Sequence, residues 1–96
     1  MFRRAAARPG NLAHLERVEA LTRDRFGLDP ADLVFVSEEV PRQPGFPPLE
    51  TVVLFWAGGE RHRLRIFRPV AEVGPGDLPP AWLRPALRDD GEGECC

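Results

Sequence analysis

The residues with the widest chemical scope stand together in the last segment of the chain, Asp89-Asp90-Gly91-Glu92-Gly93-Glu94-Cys95-Cys96. Adjacent thiols are soft donors, and a thiolate pair prefers copper(I), zinc or nickel to the hard cations that carboxylates select. Neighbouring α-carbons lie about 3.8 Å apart across a trans peptide, short of the roughly 4.4–6.8 Å usual for a disulfide. A bond between Cys95 and Cys96 is therefore strained and easily reduced. Two thiolates also leave a tetrahedral zinc site incomplete, so a partner must supply further ligands. This chemistry suits a carrier or donor of a soft metal or of sulfur better than a store. The structural alternative is an inert polar tail.

A second set of residues is Arg61, Arg63 and Arg65, which alternate with strand period near Trp56. Basic strands with aromatics can bind a partner's acidic surface or, less readily, single-stranded nucleic acid. The same period also describes an ordinary solvated sheet face. The net charge of −2 provides no general attraction to polyanions, so nucleic acid is the weaker expectation and a partner protein the stronger.

The remaining candidates carry less chemistry. His14 falls beside Val18 and Leu21 on a helical wheel and reads as a histidine at the edge of a core. His62 faces Phe55 across a strand pair. A set of Cys95, His62 and Glu60 could be drawn as a nucleophile, base and acid, but a nucleophile needs a rigid setting that a glycine-bearing tail does not offer. No phosphate loop, dinucleotide fingerprint, nucleophile elbow or spaced zinc cysteines are found in the sequence, and the expectation is a protein that is not an enzyme.

The elements that must position these residues are few. Ninety-six residues hold one core. Eleven prolines and nine glycines assign much of the chain to turns, while a 43% hydrophobic and 29% charged composition is that of a folding domain. All basic residues are arginine, which with abundant Ala, Gly and Pro is the coding bias of a GC-rich, bacterial-type genome. No run of apolar residues is long enough to span a membrane, the basic start lacks an apolar export core, and the cysteines form no disulfide framework, so a cytoplasmic location is expected.

Leu12, Leu15, Val18 and Leu21 recur every three residues between Asn11 and Phe26, predicting an amphipathic helix over residues 11–26. Its apolar arc takes in Leu12, Leu15, Val18, Leu21, Thr22 and Phe26; Glu16, Arg17, Arg23 and Asp24 form the wet side. Asn11 is a capping residue, Gly27 the left-handed stop, and Asp29-Pro30-Ala31-Asp32 a capped turn. Leu33 to Glu38 is a strand, apolar on both faces at its start, as a strand with neighbours on each side would be. Residues 41–48 form a proline-rich loop.

Thr51–Trp56 and Arg61–Phe67 form a hairpin around Gly58-Gly59, pairing Phe55 with His62, Val53 with Leu64 and Thr51 with Ile66 on the core side. On the other side Trp56, Leu54 and Val52 face Arg61, Arg63 and Arg65, with guanidinium groups over Trp56 and arginine stems over Val52 and Leu54. Val70–Val73 is a strand extension. Asp77–Leu83 is a proline-initiated turn, and Pro85–Arg88 a second one, docked by Trp82, Leu83 and Leu87.

The expected architecture is α+β in the order α-β-β-β-α. The helix packs on a three-stranded, mainly antiparallel sheet, and a Pro-rich helical turn closes an edge. A flexible N-terminus (1–10) precedes the domain (11–88), and a flexible acidic tail (89–96) follows. The expected function is a non-enzymatic accessory protein that docks a partner and handles a soft metal or sulfur with Cys95 and Cys96. The alternatives are an interaction module acting through Trp56, Arg61, Arg63 and Arg65, and a folded leader whose cysteines are enzymatically modified.

Overall fold

A computed structural model describes residues 11–41, 44–45 and 47–89. The first element, α1 (Asn11–Phe26), has the bounds that its periodicity implies and stops at Gly27, whose φ of 61° is left-handed. Val18, Thr22 and Phe26 are buried at successive turns. The Thr22 hydroxyl donates to the Val18 carbonyl at 2.9 Å, which removes the cost of a polar group on the inward face. Leu12 departs from the wheel and is 67% exposed. In this first turn Asn11 points inward instead, and rather than capping the helix its amide donates to Glu38 Oε1 at 2.9 Å.

The sheet is wholly antiparallel, in the order β1 (Val34–Glu39), β2 (Glu50–Ala57), β3 (Glu60–Ile66). The β2–β3 hairpin has the expected register, Phe55 opposite His62, Val53 opposite Leu64 and Thr51 opposite Ile66. Gly58 and Gly59 close it with φ of 61° and 80°, a pair of positive angles that matches the right-handed twist of the strands. The two-sided apolar start of β1 was expected to mark an inner strand; β1 is instead an edge strand, and β2 is the central one. Apolar residues on both faces of an edge leave one set facing water, and Leu33 and Phe35 are each 55% exposed.

The inward face carries Val34 and Val36 of β1, Val53, Phe55 and Ala57 of β2, and Leu64 and Ile66 of β3, against Val18 and Phe26. Phe26, Phe55 and His62 form one stack, with centroids 5.0 Å and 4.8 Å apart and planes within 16° and 9°. Glu38 is fully buried beneath this layer; Oε1 accepts from Asn11 and Oε2 from the Val70 amide at 2.9 Å, so one carboxylate joins α1, β1 and the later chain.

After β3 come three 3-10 segments, Val70–Glu72, Pro75–Asp77 and Ala81–Leu87. Val70–Val73 is thus not a strand extension: Pro69 can donate no ladder bond, and a three-residue turn places Val70 and Val73 on the same side, both buried. Nor is the last segment two separate turns. It runs continuously for seven residues with Pro85 inside, and its three-residue period sets Trp82 and Pro85 on one exposed side. Trp82 is 76% exposed and does not dock; Leu78, at 5%, fills the core position, with Leu87 packed beside it.

A segment rich in proline leaves carbonyls that no ladder can satisfy, and α1 supplies the donors. Arg17, expected on the wet side, bonds the carbonyls of Val73 and Val70, and Arg25 bonds those of Leu78, Pro79 and Pro75. The chain then closes the free edge of β3, as expected of this segment, through a bridge between His62 and Arg88. Asp89, which composition assigns to the tail, is held there. The expectations for residues 1–10 and for the tail from Asp90 onward, Cys95 and Cys96 included, lie outside the described residues.

Candidate functional site

The sheet face turned away from α1 is ordered in cross-strand rows. At the hairpin end the row is Leu33, Trp56, Arg61 and Asp89: the Trp56 amide donates to the Leu33 carbonyl at 3.0 Å, Trp56 pairs with Arg61, and the Asp89 amide donates to the Arg61 carbonyl at 2.9 Å. The next outward row is Phe35, Leu54 and Arg63, and the third Ser37, Val52 and Arg65. Glu39 and Glu50 end the face as a directly paired couple. Because side chains alternate between faces, every residue here is the neighbour in sequence of a core residue. The face grades from apolar on β1 and β2 to basic on β3, and from apolar at the hairpin end to ionic at the other.

The apolar part is anchored by Trp56, which meets Phe35 edge-on with centroids 5.9 Å apart and planes at 84°. A guanidinium over Trp56 was expected. The aromatic partner of the indole is instead Phe35 of the edge strand, because β1 lies beside Trp56 as closely as β3 does. Among the described residues the cation over a ring is Arg65, 5.1 Å above the centroid of Phe67.

Of the predicted partner-binding residues, the structure brings Trp56, Arg61, Arg63 and Arg65 to this one face. Arg65 bonds Glu50 Oε1 through Nε at 3.0 Å and a terminal nitrogen at 2.9 Å. Glu50 is diagonal to Arg65 and Val52 directly opposite it, so the arginine stem crosses Val52, which is only 5% exposed although it faces outward. Arg65 also relieves the repulsion of the paired Glu39 and Glu50, and the Ser37 hydroxyl donates to Glu39 at 2.8 Å. Arg61 grips Asp89, with Nε donating to the Asp89 carbonyl at 3.1 Å and a terminal nitrogen 3.3 Å from its carboxylate. Arg63 stands exposed between them. Arg61, Arg63 and Arg65 are matched on this face by Glu39, Glu50 and Asp89, so it is no basic stripe. Two shallow depressions open on it, one lined by Val52, Leu54, Arg61, Arg63, Glu39 and Asp89, the other by Trp56, Glu60, Arg61 and Asp89 with the turn.

The histidines are structural in their placement. His62 is 2% exposed, stacked on Phe55, and its Nδ1 donates to the Glu60 carbonyl at 2.8 Å, which assigns the proton to that nitrogen. His14 is half-buried on α1. Among the described residues no three His, Cys, Asp or Glu side chains converge to hold a metal ion, and no helix is long and apolar enough to cross a membrane. Leu33, Phe35 and Asp89 belong to the site but were not singled out for it from sequence. Their signal was present in β1, whose second apolar set belongs to a face that no described element covers. Compared with protein-family models, curated proteins and solved structures, the chain matches none of them.

Proposed function

We propose that this protein is a non-enzymatic docking and carrier protein whose outer sheet face binds a partner protein and whose Cys95 and Cys96 hand a soft metal ion or sulfur to it. The observation that carries the proposal is the hairpin-end row, Leu33, Trp56, Arg61 and Asp89, which sets the root of the cysteine segment in the same row as the apolar face. Exposed apolar surface gathered on one sheet face is characteristic of interaction sites, and tryptophan and arginine are the residues that most often anchor them. The partner surface that fits is an apolar ridge for Leu33, Phe35, Leu54 and Trp56.

Cys95 and Cys96 follow Asp89 by six and seven residues, a chain length of at most about 25 Å at full extension. A partner seated on the apolar rows is therefore within their reach. The dithiol alone leaves coordination positions open, which is what transfer to a partner's ligands requires. The balance of arginines and carboxylates on the face argues for a protein rather than a nucleic acid, whose binding rests on surplus positive charge.

The test has two arms. Copper(I) and zinc are titrated into the reduced chain and into Cys95→Ser and Cys96→Ser; either substitution should abolish most of the tight binding, and binding should release protons and strengthen between pH 6 and 8 as thiols give up theirs. Transfer of the bound ion to the endogenous partner is then compared for wild type and Phe35→Ser, with the variant expected to lose it. Equal binding by a chain lacking both thiols overturns the carrier reading. A covalent mass change on the cysteines of native material replaces it with that of a modified leader.

A further inference from the structure

The two edges of the sheet are guarded differently. The β3 edge is bridged at His62 by the chain's own Arg88, and Arg61, Arg63 and Arg65 set charge along that strand. Charges, prolines, bulges or a covering segment are the usual means by which an edge is kept from adding strands. β1 has none of the first three between Leu33 and Ser37. That stretch carries no charge, proline or glycine, its pairing with β2 runs without a bulge, and Leu33 and Phe35 are exposed.

The phase of the ladder fixes what this edge offers. The Trp56 amide bonds the Leu33 carbonyl, so the odd-numbered residues of β1 turn their backbones to β2, while Val34 and Val36 turn theirs outward. Among the described residues nothing bonds the amides and carbonyls of Val34 and Val36. Their side chains pack against the core yet stay half-buried, as core residues do where a sheet stops. Glu38, the next residue in this phase, is fully buried and has no backbone to offer a strand from outside.

We infer that β1 pairs with β1 of a second copy of this chain, antiparallel about a twofold axis through Phe35. Of the antiparallel registers, this one alone uses both Val34 and Val36 without calling on buried Glu38 or the turn at Asp32. Val34 and Val36 exchange backbone bonds with Val36 and Val34 of the second copy, and on the core side each valine meets a valine. On the outer face Phe35 meets itself at a non-hydrogen-bonded position, where facing side chains come closest. Leu33 faces Ser37, and the two copies of Glu39 lie at opposite ends beyond the seam, so no like charges face each other across it. A second copy is the occupant that closes: each chain has one unguarded edge, and the pairing consumes both and stops at two. The product is a continuous six-stranded sheet with Phe35, Leu54 and Trp56 of both copies gathered on one face. The inference goes beyond the docking reading and stands without it, since it concerns the edge of the sheet.

The experiment uses the full chain under reducing conditions, with neither partner nor metal present. Sedimentation equilibrium from about 10 μM to about 1 mM should show monomer and dimer and no larger species. Over the same range the amides of Val34 and Val36 should exchange more slowly as concentration rises. Phe35→Lys and Phe35→Glu each set like charges together on the axis, and either should weaken association at least about tenfold. An equimolar mixture of the two variants should associate again, because the charges on the axis are then opposite. A monomer throughout the range overturns the inference. So does a dimer whose Val34 and Val36 amides exchange no more slowly than the monomer's, or a mixture that associates no better than its components.

Discussion

The two faces of the sheet are made of the same strands in alternation, yet they solve opposite problems. The inner face buries Val53, Phe55, Leu64 and Ile66 under α1 and satisfies its polar groups one by one: Thr22 on its own helix, His62 on the Glu60 carbonyl, Glu38 between Asn11 and Val70. Among the described residues no buried side-chain nitrogen or oxygen lacks a hydrogen-bond partner. The outer face keeps Phe35 and Leu33 half in water and holds its charges in pairs whose arginines are about one-third exposed, at 35% for Arg61 and 32% for Arg65, over more buried carboxylates. Stability is thus concentrated on one face, and the freedom to bind is left on the other. A surface pair such as Arg61 and Asp89 contributes at most about 1 kcal/mol, which is the range in which a competing ligand can displace it.

This contrast can be broken most severely at Phe55. Removing its ring opens a cavity between Phe26 and His62, and Phe55→Ala should cost about 3–5 kcal/mol, enough to unfold much of the population. Phe35→Ala, an equal truncation on the outer face, should cost less than about 1 kcal/mol. Urea denaturation of the pair measures the difference, and similar losses would show that the outer face is a second core.

Glu38→Ala ranks next. It leaves the Asn11 amide and the Val70 amide without their acceptor in a dry site, at about 2–3 kcal/mol; Glu38→Gln, which keeps an acceptor, should lose less. The same melts, with the Val70 amide followed by hydrogen exchange, separate a lost acceptor from a general loosening.

Gly59→Ala places a side chain at φ 80° and should cost about 1 kcal/mol, a fall in melting midpoint of about 4–8 °C for a domain of this size. It acts on both faces equally, because the turn sets the register of both. The smallest effect belongs to the end of the chain. Deleting residues 90–96 should leave the midpoint within about 2 °C, since the segment has no apolar side chain other than its cysteines. Deleting from Arg88 should lower it further, because the bridge to His62 and the Asp89 contacts go with it. Equal midpoints for the two truncations would show that the strap contributes nothing to the edge.

Much of the scaffold was legible in the residues. The bounds of α1, the glycine turn, the hairpin register and the sharing of one face by Trp56, Arg61, Arg63 and Arg65 all follow from period and turn chemistry, which act within a few residues. The half of the site on β1 was not. A strand apolar on both sides looks the same whether a second strand, a helix or a partner covers its other side, so Leu33 and Phe35 were assigned to an interior.

What the sequence alone determined, then, is the set of local geometries: a helix with one apolar side, two strands paired in register through Gly58-Gly59, and a proline-rich segment unable to form a ladder. Tertiary structure decided where these geometries meet. It made β1 an edge, turned Asn11 from a cap into the partner of Glu38, carried Arg17 from an expected wet side to the carbonyls of Val70 and Val73, and set Arg25 on those of Pro75, Leu78 and Pro79. It also placed Asp89 beside Arg61. In each case the deciding partner lies dozens of residues away in the chain, or, for β1, is found on one side only among the described residues. A side chain's period specifies the direction in which it points, and only the packed fold specifies what is there to meet it.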